Sequence, residues 1–263
     1  MAKVAVVTGG SSGIGLATAK CLAGCGCSVY ELSRRHSEVP GVVHITADVS
    51  DESSVAAAVN EILRREGRID ILINNAGFGI SGAVEFTETA DARALMDVNF
   101  FGMVNATRAV LGPMRERGGG RIVNLSSVAA TVPIPFQTYY SVSKAAVNAF
   151  TMALANEVAP FGISVCAVMP GDMKTGFTKA RVKHHLGDDI YGGRIARSVA
   201  TMEKDEMGGR PPEEAARFIC KVALKPKVKP IYTIGLKYRF FVWLSRVLPW
   251  GLSNRIIGSL YAR

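Results

Sequence analysis

Seven short apolar runs, each ending in small or polar residues, alternate with segments of helical period along nearly the whole chain. They read KVAVVTG, CSVYELS, VHITADV, IDILINNAG, RIVNLSS, ISVCAVMPG and PIYTIG. Runs that are apolar at nearly every position, rather than at every second one, suit strands buried on both faces, as in a parallel sheet sandwiched by helices. The intervening segments carry helix signals. Ser50 is the expected N-cap of DESSVAAAVNEILRREG, with acids at its start, arginines near its end and a glycine stop. Pro211 and Pro212 open another helix, whose Ala215, Phe218, Ile219 and Val222 fall on one face. Alternation of this kind predicts an α/β fold: a doubly wound parallel sheet of about seven strands with helices on both faces. At 263 residues the chain is long enough for one such domain with a substantial core.

The formal net charge of +9 is concentrated in the last fifth of the chain. All 22 acidic residues lie before residue 215, whereas ten of the 31 basic residues follow it. With no nucleic-acid motif, this basicity is no sign of DNA or RNA binding. The N-terminus MAKVAVVTGG offers only a short apolar run that ends in glycines, too short for a signal-peptide core or a membrane span, so a cytoplasmic location is expected. Five cysteines, Cys21, Cys25, Cys27, Cys166 and Cys220, are odd in number and lack a paired CxxC arrangement, which favours free thiols over a disulfide frame or a metal site. Residues 176–210, rich in charges and Gly-Gly pairs, interrupt the alternation and have the length of a substrate lid. His184 and His185 lie in that stretch and are assigned no catalytic role.

Two stretches carry chemistry. TGGSSGIG, Thr8 to Gly15, follows the first strand and opens a helix, where a dinucleotide fold meets the pyrophosphate. In TYYSVSK, Tyr140 and Lys144 are four residues apart and share a helix face, whereas Tyr139 points about 100° away. An ammonium close to a phenol stabilises the phenolate and lowers the phenol pKa, so Tyr140 is the phenol expected to serve as a general acid or base.

TGxxxGxG, NNAG at 74–77, Ser127, then Tyr140 and Lys144 together resemble the short-chain dehydrogenase/reductase family in its branch of about 250 residues, with motifs in order from about residue 3 to 177. The resemblance implies a Rossmann-type catalytic domain over residues 1–235 and a set of roles. Gly9, Gly13 and Gly15 match the turn glycines, with Ser11, Ser12 and the Ile14 backbone at the phosphates. Asp48, with Val49, matches the adenine contact, and Asn75, Ala76 and Gly77 line the cofactor. The family's catalytic serine stands thirteen residues before the tyrosine, which selects Ser127 over Ser126. Asn99 matches the residue that holds a water linking the lysine to solvent. Lys144 would lower the Tyr140 pKa and hold the nicotinamide ribose. Pro170, Gly171 and Thr175 match the segment that closes on the carboxamide. No metal is implied.

At the end of the second strand, Ser33 occupies the slot where NAD enzymes carry an acid and Arg34 the slot where NADP enzymes carry a cation, so NADP(H) is expected. Glu31, two residues too early for the ribose, is expected along the strand. The expected activity is an NADP(H)-dependent oxidoreduction between a carbonyl and a secondary or primary alcohol. A 3-oxoacyl-thioester reductase is the alternative, and a non-catalytic nucleotide-sensing protein is disfavoured because both Tyr140 and Lys144 are present.

Residues 236–263 form a basic aromatic extension with Tyr238, Phe240, Phe241, Trp243, Trp250 and Tyr261 among five cations and no acid. Such a segment covers the substrate pocket, packs on a second subunit of an expected homodimer or homotetramer, or contacts a membrane peripherally. The first two are favoured. The tail and the segments NNAGFGISGAVE and IPFQTYYSVSKAA are loosely similar to 17β-hydroxysteroid and retinol dehydrogenases, which suggests a large apolar small-molecule substrate, steroid-, retinoid- or lipid-like.

Overall fold

The computed structural model describes residues 2–262. All seven expected strands form: β1 (Val4–Thr8), β2 (Ser28–Ser33), β3 (Val42–Thr46), β4 (Ile71–Asn74), β6 (Gly120–Leu125), β7 (Ile163–Met169) and β9 (Ile231–Thr233). They make one sheet in the order β3-β2-β1-β4-β6-β7-β9, parallel throughout. Strand order reverses between β1 and β4, and the crevice beyond the carboxyl ends of the strands at such a switch point is where ligands bind in this architecture.

The apolar runs are explained by burial on both faces. In β1, Val4 and Val6 join one core layer and Ala5 and Val7 the other. The first layer packs under α2 (Glu52–Glu66), α4 (Gly102–Glu116) and α5 (Thr138–Val158), through Ile62, Val110, Met114 and Leu154. The second packs under α1 (Gly13–Gly24) and α8 (Pro212–Leu224), through Leu22, Ile219 and Cys220. Each fully buried aliphatic side chain in these layers contributes about 1.5–3 kcal/mol.

One expectation changes. Asp51, not Ser50, caps α2: its side chain accepts from the amides of Ser53 and Ser54, while Ser50 donates to Asp48. The stretch 176–210, which has the length of a substrate lid, is built of helices and a short strand. It contains α6 (Phe177–Ala180), a two-residue strand β8 (Val182–Lys183) paired with β5 (Ile80–Ser81), and α7 (Arg194–Met207). Ile195, Val199 and Met202 of α7 form a third core cluster with Ala83, flanked by Phe86, Phe136 and Tyr191. His184 Nε2 lies 3.1 Å from Asp91 Oδ2.

Between α3 (Thr89–Met96) and α4 the backbone makes one π-helical turn, Asp97–Phe101. Turns of this type occur often at functional positions, and this one carries Asn99. The chain ends in α9 (Leu236–Val247) and α10 (Trp250–Tyr261). Among the described residues no helix is long and apolar enough to cross a membrane, and no group of three or more His, Cys, Asp or Glu could hold a metal ion.

Candidate active site

A cavity of about 1180 Å³ runs along the carboxyl ends of the central strands. One end is the glycine turn after β1. Gly9 and Gly13 have φ of +65° and +54°, the left-handed region in which a side chain is strained. Ser12 is the N-cap of α1, yet its side chain makes no capping hydrogen bond, so the first amides of the helix have neither an intrahelical acceptor nor a cap. Those donors, together with the positive end of the helix, fit a pyrophosphate. Ser11, Ser12, Gly13 and Ile14 line the cavity there.

Gly15 does not face the cavity. A Cβ at Gly15 would lie 2.3 Å from the Gly9 carbonyl oxygen and 2.3 Å from Asn75 Nδ2, so this glycine lets α1 pack on the turn. Asn75 lines the cavity but its amide works as a brace, donating to the carbonyls of Thr8 and Gly9, 3.1 Å each. Thr8 Oγ1 accepts from the amides of Asn75 and Ala76 at 3.0 and 3.1 Å, fastening the same corner.

At the end of β2, Arg34 and Arg35 line the cavity, and the Arg34 side chain is 74% exposed with Nη1 3.9 Å from Asp48 Oδ2. Ser33 lines it too, but its hydroxyl donates to the Arg35 carbonyl at 2.8 Å and to Glu31 Oε1 at 3.2 Å. Asp48 Oδ1 accepts from the Ser50 amide and hydroxyl, which together hold its carboxyl below the usual range. Val49 lines the cavity beside it. Glu31 lies along β2, as expected, and is fully buried. It pairs with His44 and lies against Gly10, where a Cβ would come within 2.6 Å of the Glu31 Cβ.

The other end of the cavity holds the phenol. Tyr140 and Lys144 lie on α5 in the expected register and both line the cavity; the Lys144 ammonium lies 5.7 Å from the Tyr140 ring centroid. The Tyr140 hydroxyl is hydrogen-bonded to Ser127, whose Oγ also accepts from the Ala129 amide at 3.1 Å. Ser126, by contrast, donates to the Lys144 carbonyl at 3.0 Å.

The charge balance differs from the expectation for Lys144. Burial pushes the phenol up to about 12, and the Ser127 hydrogen bond only partly opposes this. The Lys144 ammonium donates to the Leu125 carbonyl at 2.8 Å, and burial lowers its pKa to about 8. In the protein alone, therefore, Tyr140 holds its proton firmly and Lys144 is the group poised to titrate near neutrality.

Asn99 is buried and does not reach the cavity wall. It accepts from the Phe78 amide and donates to the Phe78 carbonyl, each at 2.9 Å, and donates to Ser143 at 3.2 Å. A Cβ on Gly77 would lie 3.0 Å from Asn99 Oδ1 and 3.7 Å from Lys144 Nζ, so Asn99 sits just behind the part of the wall that Gly77 and Lys144 form. Pro170, Gly171 and Thr175 line it, and the Thr175 side chain reaches to within 3.6 Å of the Cβ position of Gly13, narrowing the cavity between its two ends.

Sequence reasoning missed three contributors. The Phe177 ring lies 5.5 Å from Tyr140 and is backed by the Arg181 guanidinium at 5.6 Å. Arg181 forms a buried ion pair with Glu206, which also accepts from Thr178 at 2.6 Å. The third is Asp172, which accepts from Tyr238 at 2.5 Å and ties α9 to the segment after β7. Only Phe177, two residues after Thr175, could have been suspected from position.

The profile of the short chain dehydrogenase family matches residues 3–186. The chain belongs to this family. It is 42% identical over 226 residues to a 3-ketodihydrosphingosine reductase of Bacteroides thetaiotaomicron, covering 85% of this chain and 84% of that protein. A crystal structure of a short-chain dehydrogenase from Streptomyces avermitilis superposes with a TM-score of 0.84 at 30% identity, over 98% of this chain and 94% of that one. A 3-ketoacyl-(acyl-carrier-protein) reductase from Brucella melitensis, complexed with NADH, gives 0.75 at 27% identity over 88% and 96%. As a short-chain dehydrogenase the chain is an oxidoreductase that uses a nicotinamide cofactor and acts on a small molecule.

Proposed function

We propose that this oxidoreductase reduces, with NADPH, a ketone carried on a long alkyl chain, and that a 3-keto long-chain base of the 3-ketodihydrosphingosine type is its substrate. The observation that carries the reading is the wall of the cavity beyond Tyr140. It is built by Phe177 and Met202 and then by Phe241, Leu244, Leu248 and Ile257 of the two terminal helices. A pocket with a few polar groups at one end and an apolar wall beyond them fits a polar head on a long hydrocarbon. Similarity to the Bacteroides thetaiotaomicron reductase supports the same choice.

Bound NADPH would supply the hydride. On this reading, Ser127 and Tyr140 donate hydrogen bonds to the carbonyl oxygen as negative charge grows there, and Tyr140 passes it the phenolic proton. A phenol held near 12 is protonated throughout the neutral range and so is ready as an acid. Lys144, charged below about 8, would stabilise the phenolate left behind and hold the ribose. The Leu125 carbonyl holds the Lys144 ammonium, and Asn99 fixes the Phe78 backbone and Ser143 beside it. The apolar side chains of Phe177 and Met202 exclude water from the carbonyl.

Preference for NADPH rests on Arg34 and Arg35 at the cavity wall, with Ser33 engaged on the backbone instead of an acid aimed at the ribose. The 1–235 unit supplies this chemistry, and 236–262 completes the substrate wall. The test is NADPH oxidation with 3-ketodihydrosphingosine and with 3-oxoacyl thioesters of matched chain length. We expect kcat/KM at least tenfold higher for the amino ketone; equal or reversed values overturn this substrate choice in favour of a thioester reductase.

A further inference from the structure

The two terminal helices have one face spoken for and one left over. Toward the interior, Tyr238, Phe241, Leu244, Ser245 and Leu248 line the cavity, Tyr238 bonds Asp172, Tyr261 donates to Asp205 at 3.1 Å, and Arg194 holds the Ala262 carbonyl at 2.6 Å. Toward the outside, Leu236, Phe240, Trp243 and Val247 recur at i, i+4, i+7 and i+11, one stripe of α9, and Trp250 continues it. Their exposures are 77%, 54%, 57%, 57% and 94%. The Phe240 and Trp243 rings are neighbours, with centroids 5.9 Å apart and planes tilted by 33°. Within α9 only Val242 is buried, and within α10 only Ile257. A contiguous apolar stripe of this size on a folded chain marks a surface that something covers.

We propose that this stripe seats on an anionic lipid surface, with α9 lying in the plane of the headgroups. Charge identifies the occupant. Arg239 and Arg246 are exposed and stand four residues before and three after Trp243, so they flank it on the same side of the helix. Lys237 and Arg255 are exposed as well, and no acid follows Glu214 in the chain. The acids that touch these helices, Asp172 and Asp205, are turned inward to Tyr238 and Tyr261. Tryptophan and phenylalanine between basic residues suit the headgroup boundary of an anionic bilayer. A second copy set symmetrically on the same stripe would bring arginine against arginine with no carboxylate to pair them.

The stripe is continuous with the cavity mouth. Phe241, Ile256 and Leu260 line the cavity and are also 39%, 42% and 63% exposed. A helix lying on the bilayer therefore opens the cavity toward the acyl layer. Docking stands on the stripe and its cations alone; passage of a substrate from that layer rests on the proposed function.

Sedimentation of the full chain with vesicles tests this, using phosphatidylcholine alone and phosphatidylcholine with about 30% phosphatidylglycerol, at low and high salt. We expect strong binding only to the anionic vesicles, at least tenfold weaker at high salt because screening removes the attraction. The double variant Phe240→Ser, Trp243→Ser should bind at least tenfold less while keeping its far-UV circular dichroism and Tm. Absence of binding to anionic vesicles at low salt would overturn the proposal, as would binding that the double variant retains. So would a wild-type dimer in size exclusion that the double variant converts to monomer, since a second copy would then be the occupant.

Discussion

Arg34→Ala removes the cation proposed to meet the 2′-phosphate of NADPH, and the structure sets the size of the effect. The guanidinium lies at the cavity wall, is 74% exposed and has Asp48 at 3.9 Å as its ion-pair partner. A charge-assisted hydrogen bond contributes about 1.5–3 kcal/mol, and solvent screening at so exposed a site reduces that to about 1–2 kcal/mol. The KM for NADPH should therefore rise roughly 5- to 30-fold, with the KM for NADH nearly unchanged, since each 1.4 kcal/mol is tenfold. The complementary change, Ser33→Asp, carries a cost of its own. Ser33 is buried with its Oγ 3.2 Å from Glu31 Oε1, so a second carboxylate there faces a buried acid at close range. Two like charges about 4 Å apart repel by about 4 kcal/mol at an effective dielectric of 20. Ser33→Asp should lower Tm, and adding Glu31→Gln should recover part of it. Initial rates with both cofactors, wild type against Arg34→Ala, decide the point. An NADPH to NADH ratio unchanged within twofold would refute the phosphate role of Arg34.

Tyr140→Phe should reduce kcat by at least 100-fold with NADPH binding, followed by fluorescence, largely retained; Tyr139→Phe should cost less than threefold, and equal losses would contradict the helix register. The kcat/KM for reduction should fall as pH rises through about 8, because Lys144 carries its charge only below that value; a profile flat to pH 10 would remove Lys144 from the proton balance. Gly15→Ala forces a methyl against the Gly9 carbonyl and Asn75, both 2.3 Å from it, and should cost about 1–3 kcal/mol of stability and weaken cofactor binding, read by chemical denaturation with and without NADPH.

The parts of the fold legible in the sequence were those with a periodic signal. β1 alternates Val4 and Val6 with Ala5 and Val7 into two core layers, so the whole run is apolar and shows as a strand. The register of Tyr140 and Lys144 followed from helix geometry. Elements held by distant contacts were not legible. β5 and β8 are two residues each and exist only by pairing with one another across about 100 residues of chain. α7 was hidden in a stretch of Gly-Gly pairs and charges, although Ile195, Val199 and Met202 mark its buried face. The Ser50 misassignment arose because three consecutive residues, Ser50, Asp51 and Glu52, lie at the boundary, and hydrogen bonding to Asp48 decides which caps. The sequence offered a pocket, a partner or a membrane for the aromatic tail and favoured the first two. The structure shows why one segment suggested several: its inner face lines the cavity, and its outer stripe has no cover among the described residues.

The central claim is that the chain reduces a ketone whose alkyl tail lies along Phe241, Leu244, Leu248 and Ile257. Its most direct test is the kcat/KM for NADPH-dependent reduction of 3-keto long-chain bases in a series of increasing alkyl length, measured below the critical micelle concentration. Burying a methylene contributes about 0.8 kcal/mol, so kcat/KM should rise by up to about fourfold per methylene until the cavity is filled and then level off. Leu248→Ser should flatten that rise without changing turnover of the shortest member. Values independent of chain length, or highest for the shortest member, would contradict the account.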